Sequence, residues 1–134
     1  MEEIKDSEMK EKMEWRFGVA ANIKKSFQDE DGVVHYGCKP FRPGTKVYVN
    51  GKDWNPTKRT HIGVIGRNRF GRIALEFIPI ELLENFRAVR IYNPRVLSIL
   101  HYEEWAEGYV WWDRTVDDRK ESEAFAKAWS TVEN

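Results

Sequence analysis

The sequence predicts an α+β domain: a mostly antiparallel sheet of five or six strands, or a small half-open barrel, with two C-terminal helices packed on it. Three observations carry this reading. From Trp15 onward apolar residues alternate with period two, in short segments separated by Asp-Gly, Pro-Gly and Asn-Gly turns. A single helical turn interrupts the strands at 80–84. The spacing becomes that of a helix only after Asn93-Pro94, so the helices follow the strands rather than alternating with them.

Residues 1–14 carry only a thin apolar line (Ile4, Met9, Met13), which predicts a charged helix or frayed segment ahead of a single domain over 15–134. Trp15, Phe17, Val19, Ala21 and Ile23 alternate with Arg16, Gly18, Ala20 and Asn22, the pattern of a half-buried strand. The polar run 28–32 ends in Asp31-Gly32 and leads into Val33, Val34, His35 and Tyr36, which predicts a hairpin. Pro43-Gly44 fits a type II turn, with proline setting the first φ and glycine taking the positive one. Thr45, Val47 and Val49 share one face of the next strand, which Asn50-Gly51 closes.

After a polar loop over 53–60, residues 61–66 and 72–78 read as two strands around Arg67-Asn68-Arg69-Phe70-Gly71. Ile73, Leu75 and Phe77 form their inward set. Pro79 precedes the turn at 80–84, a place where its missing N–H is no loss, and 86–92 returns to strand. Asn93-Pro94 is a cap-then-proline helix start. Val96, Leu97, Ile99 and Leu100 follow at helical spacing, with Gly108 as the stop. Thr115 to Asp118 matches the Ser/Thr-x-x-acid start of a last helix that buries Phe125, Ala128, Trp129 and Val132. The strand, single turn, strand order over 73–92 is similar to that of small Src-homology-type barrels. That resemblance implies an architecture and no function.

A chain of 134 residues with 41% apolar content can build one full core, which excludes a disordered chain. One cysteine excludes a disulfide scaffold. No apolar run approaches the ~18–20 residues of a membrane span, and charges stand where a secretory signal would be apolar. The expectation is a reduced, cytoplasmic protein without a cofactor.

The 22 basic and 22 acidic residues cancel overall but are segregated. Residues 1–14 sum to −3 and 101–134 to −5, while 15–100 sum to +8. Between Trp54 and Leu75 there are five basic residues and no carboxylate. A basic body between acidic ends attracts polyanions or its own termini.

Common catalytic patterns are not met. Cys38 and His35 are three apart, which places them on opposite faces of a strand rather than in nucleophile–base contact. His35, His61 and His101 lack the short pairings of metal ligands. Gly63, Gly66 and Gly71 do not have the spacing of phosphate-binding loops. Glu103-Glu104 and Asp117-Asp118 are helix neighbours that diverge by about 100°.

Two features remain. One is the basic stretch in which Trp54 and Phe70 stand among Lys58, Arg59, Arg67, Arg69 and Arg72, the mixture of cations and flat rings that single-stranded nucleic acid requires. The other is the run Trp111-Trp112-Asp113-Arg114, residue types that dominate protein-binding hot spots. The leading expectation is a non-enzymatic module, inhibitor- or immunity-like, that binds another protein through Trp111, Trp112 and Arg114. The alternatives are an RNA or single-stranded DNA binder using the basic hairpin 58–72, and a small-molecule enzyme with a pocket in the barrel.

Overall fold

A computed structural model describes residues 15–50, 60–106 and 116–130, with side chains at 15–50, 60–103 and 119–130. Among the described residues, seven strands run in the order β1 (Arg16–Ile23), β2 (Ser26–Gln28), β3 (Val34–Tyr36), β4 (Lys46–Asn50), β5 (His61–Arg67), β6 (Ile73–Pro79) and β7 (Leu83–Ile91). A 3-10 turn at Ile80–Leu82 separates β6 from β7, and two helices follow, α1 (Pro94–Ala106) and α2 (Val116–Ser130). Five strands form an open antiparallel sheet in the order β6-β5-β4-β1-β7, while β2 and β3 pair separately. The predicted α+β class with a mostly antiparallel sheet is therefore correct.

Local chemistry explains the connections. Gly44 takes a left-handed φ of 85°, and Thr45 N–H donates to Arg42 O at 3.2 Å, so Pro43-Gly44 turns as predicted. The Oδ1 of Asn93 accepts the N–H groups of Arg95 and Val96, satisfying two donors at the start of α1. Pro79 ends β6 with an extended ψ of 136° and caps the 3-10 turn.

The two faces of the sheet bury different residues. On one face Val19, Ala21, Val47, Val49, Val64 and Phe86 pack with Phe125, Ala126 and Trp129 of α2. On the other, Ile65 and Ile91 pack with Val96, Leu97 and Leu100 of α1, with Tyr48, Ile73 and Leu75 at the margin. Three expectations change as a result. β1 is covered on both sides, since Ala20, read as outward, is fully buried. Ala126 rather than Ala128 enters the core from α2, and Val132 lies outside the described residues. Phe77, read as inward with Ile73 and Leu75, is 68% exposed, because β6 continues past the region that α1 covers.

Candidate nucleic-acid interface

Two separate segments meet at the end of the sheet where β5 turns into β6. The first is the loop between β3 and β4. Cys38 and Phe41 are buried and anchor it, while Lys39 and Arg42 between and beside them are exposed. Phe41 lies against Gly66, where a Cβ would come within 3.4 Å of its ring and 2.7 Å of Val47 Cγ1, so glycine is what admits the close packing of loop on strand. The second segment is the hairpin tip at 68–71. The N–H of Arg69 donates to Pro40 O at 2.9 Å. Its guanidinium donates to the carbonyls of Lys39 (3.1 Å) and Cys38 (3.3 Å).

Arg69 therefore does something other than expected. Its side chain is turned onto the neighbouring loop and fastens Lys39 beside the hairpin. Arg67 spans the tip, donating to Gly71 O at 2.7 Å. The Arg72 side chain is exposed, and its backbone N–H is held by Asn68 Oδ1 at 3.1 Å. Among the described residues no carboxylate pairs with Arg67, Arg69 or Arg72; the His35–Asp29 bond and the Arg119–Glu123 ion pair lie elsewhere. The backbone bonds satisfy hydrogen-bond donors without cancelling charge, so the positive field stays directed at solvent.

Lys46 enlarges this patch. The register Tyr48↔Ile65, continued by two residues, sets Lys46 alongside Arg67 on the face they share. Like charges opposed across strands are destabilising. Six cations (Lys39, Arg42, Lys46, Arg67, Arg69, Arg72) thus gather at one end of the sheet. At the tip Phe70 projects with 89% of its surface exposed, and Tyr36, two residues before the Cys38 anchor, is 77% exposed. A cationic surface with bare rings supplies phosphate contacts and stacking platforms together.

Of the residues picked out in the sequence, Arg67, Arg69, Phe70 and Arg72 are brought together here. Trp54, Lys58, Arg59, Trp111, Trp112 and Arg114 lie outside the described residues. Lys39, Arg42 and Lys46 were missed, although a signal existed: from Gly32 to Lys52 the chain also lacks any carboxylate. A second aromatic–arginine cluster was missed too. The Arg90 guanidinium lies 4.8 Å over the Trp15 ring and 5.7 Å over that of Phe17, across β1 and β7.

The other candidate groups are placed as follows. The Cys38 thiol is buried, and desolvation pushes its pKa up, which disfavours the thiolate that nucleophilic chemistry requires. His35 bonds Asp29 at 2.7 Å and stacks on Phe27. Among the described residues no three His, Cys, Asp or Glu side chains gather as a metal site, and no helix is long and apolar enough to cross a membrane. No protein family, no curated protein and no solved structure matches this chain.

Proposed function

We propose that this protein binds single-stranded nucleic acid, RNA or DNA, at the end of the sheet formed by the β5–β6 hairpin and the 38–46 segment. The observation that supports it is the convergence of two carboxylate-free segments around the Arg69 bonds, with the Phe70 ring 89% exposed at their tip. Phosphates run along Arg67, Arg72, Lys39 and Arg42, and a base stacks on Phe70. The reaction is binding alone; no bond is made or broken. The buried, unpaired Cys38 suits a reducing compartment such as the cytoplasm.

Fluorescence anisotropy with a labelled 20-nucleotide oligo(U), titrated over a salt series, tests this. Engagement of about five phosphates gives a log–log slope near −3.5. The double reversal Arg67→Glu with Arg72→Glu flattens that slope by about 1.4. An affinity that does not change with salt, or one equal for the double reversal and the parent, rejects the assignment.

The protein-binding reading has support from a different place. β3 and its approach expose Val33 (55%), Val34 (44%) and Tyr36 (77%), an apolar strip of the kind that protein partners cover. Under that reading, Val34→Asp abolishes capture of the partner while oligonucleotide affinity stays unchanged.

A further inference from the structure

β6 is an edge strand, and its ladder with β5 identifies which of its backbone groups are unused. At one end of the ladder Ile80 N–H donates to Thr60 O at 3.1 Å, and at the other Asn68 N–H donates to Arg72 O at 2.8 Å. Hydrogen-bonded pairs alternate with non-bonded ones along an antiparallel ladder. The bonded pairs between these ends are then Ile62/Ile78, Val64/Glu76 and Gly66/Ala74. It follows that the N–H and C=O groups of Ile73, Leu75 and Phe77 point out of the sheet. Among the described residues none of them has a hydrogen-bond partner. The side chains of the same three residues share one face, where α1 partly covers Ile73 and Leu75 and leaves Phe77 68% exposed.

The opposite edge is blunted. The β1–β7 register shifts between Ala20 and Asn22, Asn85 takes a left-handed φ of 58°, and α2 packs against β7. β6 has fewer such devices: its pairing with β5 is unbroken from Ile73 to Pro79, and Glu76 is its one charge.

We propose that β6 pairs antiparallel with β6 of a second copy of this chain, about a two-fold axis through Leu75. In this register Leu75 lies opposite its counterpart and Ile73 opposite Phe77. Each of the three outward-facing residues exchanges both backbone bonds, and the exposed Phe77 ring is covered by the Ile73 of the other copy. Glu76 falls opposite Ala74. Moving the axis to Glu76 sets the two Glu76 residues directly opposite, with Cα atoms about 4.5 Å apart and like charges facing, and moving it to Ala74 leaves Phe77 without an apolar neighbour. Charge and apolar complementarity thus select one register. The contact is isologous and closes at two copies. Because the strands are antiparallel, the two cationic hairpin tips lie at opposite ends of the joined sheet, where their repulsion is screened. The inference does not depend on what the cationic end binds.

Sedimentation equilibrium of the full chain over a concentration series tests it, and the expected result is a reversible monomer–dimer equilibrium. Phe77→Pro removes one outward donor and the exposed ring but no bond of the β5–β6 ladder, and it raises the dimer dissociation constant at least tenfold. Phe77→Lys, which places a charge on the edge, does the same and covers the event that the proline variant fails to fold. Phe70→Ser, at the hairpin tip, leaves dimerisation unchanged. A chain that stays monomeric to millimolar concentration overturns the proposal, even if its edge accepts a strand from another protein. So does a dimer that neither Phe77 variant weakens.

Discussion

Two of this protein's hairpins, β2–β3 and β5–β6, make the same turn from opposite charges. In the β2–β3 hairpin Asp29 Oδ1 accepts the N–H groups of Asp31 and Val33, and in the β5–β6 hairpin Asn68 Oδ1 accepts those of Phe70 and Arg72. Gly32 N–H donates to Asp29 O and Gly71 N–H to Asn68 O, at 3.1 and 2.9 Å. The glycines have nearly equal left-handed φ angles, 82° and 81°. Both are three-residue loops that end in a left-handed residue. The backbone asks only for a short side-chain acceptor at the first position and glycine at the fourth. The two residues between them are a free choice, filled by Glu30-Asp31 in one loop and Arg69-Phe70 in the other. The turn itself does not require arginine or phenylalanine: Arg69 fastens the 38–39 carbonyls, and the exposed Phe70 is left for the proposed stacking role.

Exchanging those free residues is the strongest way to break the comparison. Arg69→Glu with Phe70→Asp gives the basic hairpin the acidic loop's composition. Loss of the stacking ring alone is worth about 1–3 kcal/mol. With the charge reversal added, affinity for the oligonucleotide falls by about 100-fold or more. The reciprocal exchange, Glu30→Arg with Asp31→Phe, leaves that affinity within about threefold, because no Lys39–Arg42 loop is fastened beside that hairpin. An equal gain from the reciprocal exchange means that composition matters and location does not.

A smaller effect separates the hairpins by their attachment. Valine at a left-handed position costs about 1–2 kcal/mol. Gly71→Val imposes that strain on the five-stranded sheet, so the urea midpoint of the whole chain falls. Gly32→Val imposes it on a two-stranded sheet of its own, and hydrogen exchange rises at Asp29 to Val34 while the global midpoint holds. Equal shifts in the global midpoint show that the small sheet unfolds together with the large one.

Much of the fold could be read from the sequence because strand period and turn residues are local signals. The Pro43-Gly44 turn and the Asn93 cap each depend on neighbouring residues and stand where they were predicted, and the helical turn expected over 80–84 forms at Ile80–Leu82, with strand resuming at Leu83. Errors arose where the outcome depends on distant parts of the chain. The parity of Phe77 correctly assigned its face, but parity does not say how far α1 extends over that face. Ala20 alternates as an outward residue should, yet the second face of the sheet also carries a buried cluster, to which a helix more than 70 residues later in the chain contributes. The candidate site divides the same way. Arg67, Phe70 and Arg72 are legible at a hairpin tip. Lys39 and Arg42 join them only through bonds from Arg69 to carbonyls 30 and 31 residues away, and no local pattern encodes such a contact.

The least of the expected effects distinguishes Asp29 from Asn68, the one chemical difference in the acceptor that shapes the two loops. The His35 ring and the backbone N–H of Val33 hold the Asp29 carboxyl below the usual carboxylate range. A carboxylate whose folded pKa is depressed contributes stability above its unfolded pKa and loses it as pH falls through the lower folded value. The acidic hairpin therefore loosens on acidification, below the pH at which exposed carboxylates titrate, whereas the Asn68 loop has no group that titrates there. The amide chemical shift of Val33, followed from pH 7 to pH 2, moves with the Asp29 titration, while those of Phe70 and Arg72 do not. Asp29→Asn removes the shift and keeps the turn, because the amide oxygen accepts the same two N–H groups, as it does in the other hairpin. If the asparagine variant instead opens the hairpin at neutral pH, the bond between the carboxylate and His35 closes this loop, and the two turns share a shape without sharing its cause.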